Sequence, residues 1–170
     1  MKRLPLLLLL ILACLVGRGQ SRFSQKIDSL TRLLKMARTD SLRVDLLNEL
    51  GRQWQDKNLT TSITYLRKAL TLAQQHHLDA RAKGLLFELA YDYFLISDAP
   101  KSIELLWQLM QTMNPKEAGY TTAVAFLSLN YKAQHDYPNA LFLPGKRGHS
   151  TNRPNAKATH PMTAVNWPGR

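Results

Sequence analysis

The chain has 170 residues, with 23 Lys plus Arg against 12 Asp plus Glu and a single cysteine. Its length allows one domain, or one domain with tails. A hydrophobic content of 45 % excludes a wholly disordered chain, and one cysteine excludes a disulfide framework, a CxxC redox pair and a cysteine-rich zinc site. The net charge of +11 points to nucleic acid until it is located: residues 1–21 carry +3 and residues 144–170 carry +5, both without an acidic residue, whereas residues 22–143 carry only +3.

The first segment, residues 1–19, reads as a signal peptide. Lys2 and Arg3 form a positive start, Leu4 to Val16 is an apolar run, and Gly17 and Gly19 are the small residues a signal peptidase needs before Gln20. Cleavage after Ser21 is the near alternative. The run is shorter than the ~20 residues a membrane-spanning helix requires, so an uncleaved anchor is the weaker reading. Ile11-Leu12-Ala13-Cys14 partly matches a lipoprotein box, which gives lipid anchoring through Cys14 as the alternative to a freely exported, periplasmic chain.

Residues 20–40 form a leader with the first amphipathic helix: Ile27, Leu30, Leu33, Leu34 and Ala37 fall on one face at helical spacing. No stretch alternates with period two for long enough to suggest a strand. The spacing predicts an all-α chain with helices near 25–37, 41–56, 60–76, 80–96, 99–113 and 116–134, and a last one from Tyr137.

Residues 41–143 repeat themselves. Leu47-x-x-Leu50-Gly51-x-x-Trp54 followed by Asn58, Ser62, Ile63, Leu66 and Ala69 aligns with Leu86-x-x-Leu89-Ala90-x-x-Tyr93 followed by Asp98, Ser102, Ile103 and Leu106. A third copy, Val124-x-x-Leu127-Ser128-x-x-Tyr131 followed by Asp136 and Ala140, is cut short. Small residues on the first helix of each pair (Gly51, Ala90, Ser128) are expected to meet small residues on the second (Ser62, Ser102, Ala140). Trp54, Tyr93 or Tyr131 would cap the gap, and Ala69 lies further along the same seam. Asn58, Asp98 and Asp136 stand where a helix N-cap is wanted, and Pro100 and Pro138 fall in the first turn, where a missing N–H costs little.

This pattern resembles the tetratricopeptide repeat (TPR). Gln134-His135-Asp136-Tyr137-Pro138-Asn139-Ala140 looks like that family's Gln-Gly-Asp-Tyr-x-x-Ala turn. The resemblance implies antiparallel helix pairs stacked into a superhelix, two full repeats and a truncated third. The spacing, 40 residues from Ser62 to Ser102 and 38 from Ser102 to Ala140, exceeds the family's usual period of about 34. Long-period repeats behind a signal peptide and the leader Ile27-Asp28-Ser29-Leu30 further resemble the extracytoplasmic sensor regions of bacterial two-component histidine kinases, although the kinase half has no counterpart here.

The resemblance implies a groove lined by the first helix of each pair. Its positions are Asp45, Asn48, Arg52 and Gln55 in repeat one, Phe87, Tyr91 and Phe94 in repeat two, and Ala125, Leu129 and Lys132 in repeat three. A polar turn beside an aromatic wall suits a protein or peptide ligand with an apolar anchor; the competing expectation is that Phe87, Tyr91 and Phe94 pack against the next repeat. Asn48 and Arg52 do not reproduce the family's carboxylate clamp. His76 and His77 point about 100° apart on a helix and suit its C-terminus better than a metal ion. Glu88 and Asp92 lie four apart on one face and read as solvated. No catalytic, cofactor or metal motif is expected, and the chain is read as a non-enzyme.

Residues 144–170 hold four of the eight prolines and no acid, and are expected to be a disordered basic tail. Stopping the third repeat early would expose an edge at Val124, Leu127 and Tyr131 and permit self-association. The chain is accordingly read as an exported TPR interaction module, the sensor or scaffold part of a signalling protein and a truncated or frameshifted fragment of it. The alternative is a basic adaptor whose tail contacts anionic lipid or nucleic acid; the nearly balanced middle makes a nucleic-acid partner the lesser expectation.

Overall fold

The computed structural model describes residues 22–141, and they form seven helices without a strand among them. Helix α1 covers residues 22–36. It is followed by α2 (Asp40–Gln55), α3 (Leu59–Gln75), α4 (Asp79–Leu95), α5 (Ala99–Gln111), α6 (Ala118–Ala133) and α7 (Tyr137–Leu141). The expected bounds agree to within about three residues. Turns of three residues join the helices at 56–58, 76–78, 96–98 and 134–136, and residues 112–117 join α5 to α6; the first long period resides in α3 and α4, which run 17 residues each, and the second partly in that longer connection. The signal-peptide, Cys14 and basic-tail readings fall outside the described residues.

The turns are built by side-chain caps and left-handed stops. Asn58, Asp98 and Asp136 accept hydrogen bonds from the backbone N–H of Thr61 (2.9 Å), Lys101 (3.3 Å) and Asn139 (3.3 Å), so the second helix of every pair starts with a filled orphan donor. Thr39 does the same for α2 by accepting from Leu42 N–H at 3.3 Å. Three first or second helices end on a residue with positive φ: His77 (52°), Ser97 (62°) and His135 (59°). The following N–H then reaches back five residues, as in Asp98 to Tyr93 (2.8 Å) and Asp136 to Tyr131 (2.9 Å), the wrapping that a left-handed residue permits. His135 stands where the resembling turn has glycine. A left-handed non-glycine residue costs about 1–2 kcal/mol, part of which glycine returns through its unfolded-state entropy. Ser97→Gly is therefore expected to raise the unfolding free energy by about 1 kcal/mol in urea melts; a lower value would contradict this account of the turn.

Small residues set the approach of each pair. A Cβ built on Gly51 would stand 2.8 Å from Cγ and Cδ2 of Leu66 and 3.4 Å from the Ser62 carbonyl oxygen. In the next pair Ser102 Oγ donates to the Ala90 carbonyl at 2.7 Å, and in the third Ser128 Oγ donates to the Ala140 carbonyl at 2.9 Å. Around these contacts lie two apolar clusters, one centred on Val44, Leu66, Leu85 and Leu89, the other on Leu86, Leu106, Leu127 and Tyr131. Leu70 and Leu105 pack against both and make the core continuous from one repeat to the next. Each fully buried leucine contributes roughly 1.5–3 kcal/mol.

The N-terminal end carries the helix expected there, and the C-terminal end corrects the sequence reading. Helix α1 runs antiparallel along α2, with the Phe23 ring edge-on to Trp54 at 5.0 Å and Lys26 Nζ 3.0 Å from Glu49 Oε1. It thus takes the place that a second helix of a preceding pair would fill. At the other end Val124, Leu127 and Tyr131, expected to form an exposed edge, are buried. They pack with Leu106, Met110 and Ala140, because α5 covers one side of α6 and the short α7 suffices for the other.

Candidate functional site

Helices α2, α4 and α6 are the first members of their pairs, and the repeat register aligns their surface positions in rows. The alignment that pairs Gly51, Ala90 and Ser128 gives Asn48–Phe87–Ala125, Arg52–Tyr91–Leu129 and Gln55–Phe94–Lys132. At the junction of α4 with α6, one ring gathers three others. Phe126 lies 5.6 Å from Phe87, 5.9 Å from Tyr91 and 5.4 Å from Phe94 between ring centroids, all within the range of favourable aromatic contact. Phe87, Tyr91 and Phe94 therefore do pack against the next repeat. The packing is incomplete toward solvent: Tyr91 is 40 % exposed and Leu129, beside it in its row, 46 %. Phe126 escaped the sequence reading because it sits where the earlier repeats carry Glu49 and Glu88, a position that looks polar by repeat analogy.

The α2–α4 junction is polar instead. Arg81 grips Asp45 through two hydrogen bonds of 2.7 and 3.0 Å. The hydrogen bond, then the charge of Asp45, raises the Arg81 pKa. Gln55 donates not to a groove but to Asp92, whose second oxygen accepts from Ser62. Asp92 is fully buried, which corrects its reading as a solvated partner of Glu88. It lies on the α4 face turned toward the preceding pair, where only donors from α2 and α3 can satisfy it, and it ties three helices together. Asn48 keeps a buried side-chain oxygen without a donor, and Arg52 and Lys132 are exposed. On the flank, Lys83 meets Glu117 at 3.1 Å; the Asn114 backbone N–H, and after it the Lys83 ammonium, pull the Glu117 pKa down.

The capping aromatics serve the seams rather than the groove. Trp54 meets Phe23, Tyr93 carries the Lys101 ammonium 5.2 Å from its centroid, and buried Tyr131 accepts from Trp107 Nε1 at 3.3 Å. Burial, only partly opposed by that bond, pushes the Tyr131 pKa up. Asp98, capping α5, has its pKa lowered by the Lys101 side chain. Ala69 is fully buried in the first cluster. His76 Nδ1 lies 3.3 Å from Asp40 Oδ2, joining the end of α3 to the start of α2. Among the described residues no group of three His, Cys, Asp or Glu side chains could hold a metal ion, and no helix is long and apolar enough to cross a membrane.

These features define a protein of stacked antiparallel helix pairs with a mixed polar and aromatic face on its first helices. No protein-family model matches the sequence, and no curated protein does. Solved structures do match in fold. Nearly identical TPR-like repeats of a kinesin light chain-like protein from Podosopora anserina superpose with a TM-score of 0.60 at 16 % identity, covering 72 % of this chain and 64 % of that one. A singly substituted form of the same repeats gives the same values. The structure of MamA superposes with a TM-score of 0.55 at 21 % identity, covering 73 % of this chain and 66 % of that one. The fold is TPR-like, and the chain spans less than two thirds of the length of the kinesin light chain-like structure.

Proposed function

We propose that the chain is a protein-interaction module that holds a segment of a partner protein on the face of α4 and α6. The observation that carries this reading is the half-exposed aromatic nest, four rings centred on Phe126 with Tyr91 and Leu129 open to solvent. A stacked array already buries its core leucines, so rings left at a surface are free to seat an apolar side chain. The TPR-like fold supports a protein partner. Tyr91→Ser combined with Leu129→Ser removes exposed apolar surface without touching the buried clusters. The pair is expected to weaken binding of a phenylalanine-anchored peptide pool at least tenfold while a cooperative helical melt is kept, lowered only by the lost Tyr91–Phe126 ring contact. Equal binding by the double variant would reject the site.

The same proposal places the module outside the cytoplasm, in the periplasm, as part of a signalling protein. Export is supported by the positive start, apolar run and paired glycines of residues 1–19, and the signalling role by the resemblance of the leader Ile27-Asp28-Ser29-Leu30 and the long-period repeats behind it to sensor regions. Fusing residues 1–25 to a β-lactamase lacking its own signal is expected to confer ampicillin resistance; sensitivity equal to the leaderless enzyme would remove the export reading.

A further inference from the structure

The two junctions of the groove face hold chemically opposite nests at the same repeat position. Phe126 covers Phe87, Tyr91 and Phe94 at the second junction. One repeat earlier the register replaces these four rings by Glu88 against Asn48, Arg52 and Gln55. Among the described residues Arg52 makes no ion pair, Glu88 is half-buried with no hydrogen bond, and the buried Asn48 Oδ1 has no donor. Gln55 commits its amide N–H to Asp92 and keeps its carbonyl oxygen.

We infer that the bound segment carries a carboxamide side chain, Gln or Asn, on the α2 side of its apolar anchor and about three residues from it. This rests on the groove reading above and adds the identity of the second contact. The nest offers one cation (Arg52), one anion (Glu88) and the uncommitted carbonyl oxygen of Gln55, whereas Asn48 Oδ1 is sealed beneath them. A ligand carboxylate would meet Glu88, and a ligand ammonium would meet Arg52. A carboxamide meets neither like charge: its NH2 donates to Glu88 while its oxygen accepts from Arg52. Neighbouring helices stand about 8–10 Å apart, and an extended polyproline-type segment advances about 3.1 Å per residue with every third side chain on one face. Three residues therefore step from one nest to the next.

The test uses the full chain and fluorescein-labelled nonapeptide pools with Phe or Ala at position 5, and Gln, Glu, Lys or Ala at position 2 or at position 8. With Phe at position 5, Gln at one of the two flanking positions, and not at the other, is expected to bind at least fivefold tighter than Glu, Lys or Ala. Glu88→Lys, a half-exposed site, is expected to switch that preference from Gln to Glu while the need for Phe persists. Four equal pools, or a wild-type preference for Glu or Lys, overturn the carboxamide inference and leave the apolar anchor intact. Pools with Ala at position 5 that bind as well as those with Phe overturn the groove reading itself. The wild-type position series decides the question even where Glu88→Lys does not fold.

Discussion

Asp92→Ala is expected to lower the unfolding free energy by about 3 kcal/mol, a large part of the roughly 5–15 kcal/mol that holds a small domain together. The loss comes less from the carboxylate than from what it leaves behind. Ser62 Oγ and Gln55 Nε2 are aimed at Asp92 from α3 and α2. Once it is gone Ser62 Oγ is a buried donor without an acceptor, a desolvation penalty of about 1–3 kcal/mol, and half-buried Gln55 loses its partner as well. Adding Ser62→Ala removes one stranded donor, so the double variant is expected to be less destabilised than the sum of the singles, with a coupling of about 1–2 kcal/mol in a double-mutant cycle. Additive losses in urea melts would show that the three side chains do not act together. Replacing the buried cluster by apolar groups of similar shape is a different experiment and can even stabilise, because burying a charge is itself costly.

Two helical glycines are expected to respond to alanine with opposite signs. Gly84 lies on the exposed side of α4 with nothing within 4 Å of a built Cβ. Gly84→Ala gains the helix propensity of alanine, about 1 kcal/mol. Gly51→Ala gains the same propensity but drives its methyl to 2.8 Å from Leu66 Cγ. That atom is the branch point of a side chain only 1 % exposed, so it has no free end to swing away. Overpacking of this kind costs about 1–3 kcal/mol, and Gly51→Leu would hold α2 and α3 apart altogether. Thermal melts of Gly51→Ala and Gly84→Ala decide the matter: two stabilised variants would mean that α2 and α3 do not meet at Gly51.

The helices were legible because their causes are local. Apolar spacing marks α1 to α6, and capping residues at Asn58, Asp98 and Asp136 mark where the second helices begin. Pairing was legible too, since small residues recur at fixed offsets and the physical demand for close approach repeats with them. What escaped was set by contacts between repeats. Nothing within α4 distinguishes Asp92 from Glu88; one is buried and the other is not because α2 and α3 supply donors only to the first. Phe126 was hidden by its acidic counterparts in the earlier copies. The burial of Val124, Leu127 and Tyr131 depended on how much of α6 a five-residue helix and α5 could cover, a question of shape that a linear pattern does not pose.

The groove reading makes one demand that a merely structural array would not meet: contact with a partner must be confined to the first-helix face. A photoreactive benzoylphenylalanine can be placed at position 91 or 129 on that face, and at position 68, exposed on α3 away from the rings, then irradiated in the producing cell. Discrete adducts from positions 91 and 129 with none from position 68 are the predicted result. The same adducts from all three positions, or adducts from position 68 alone, would contradict it.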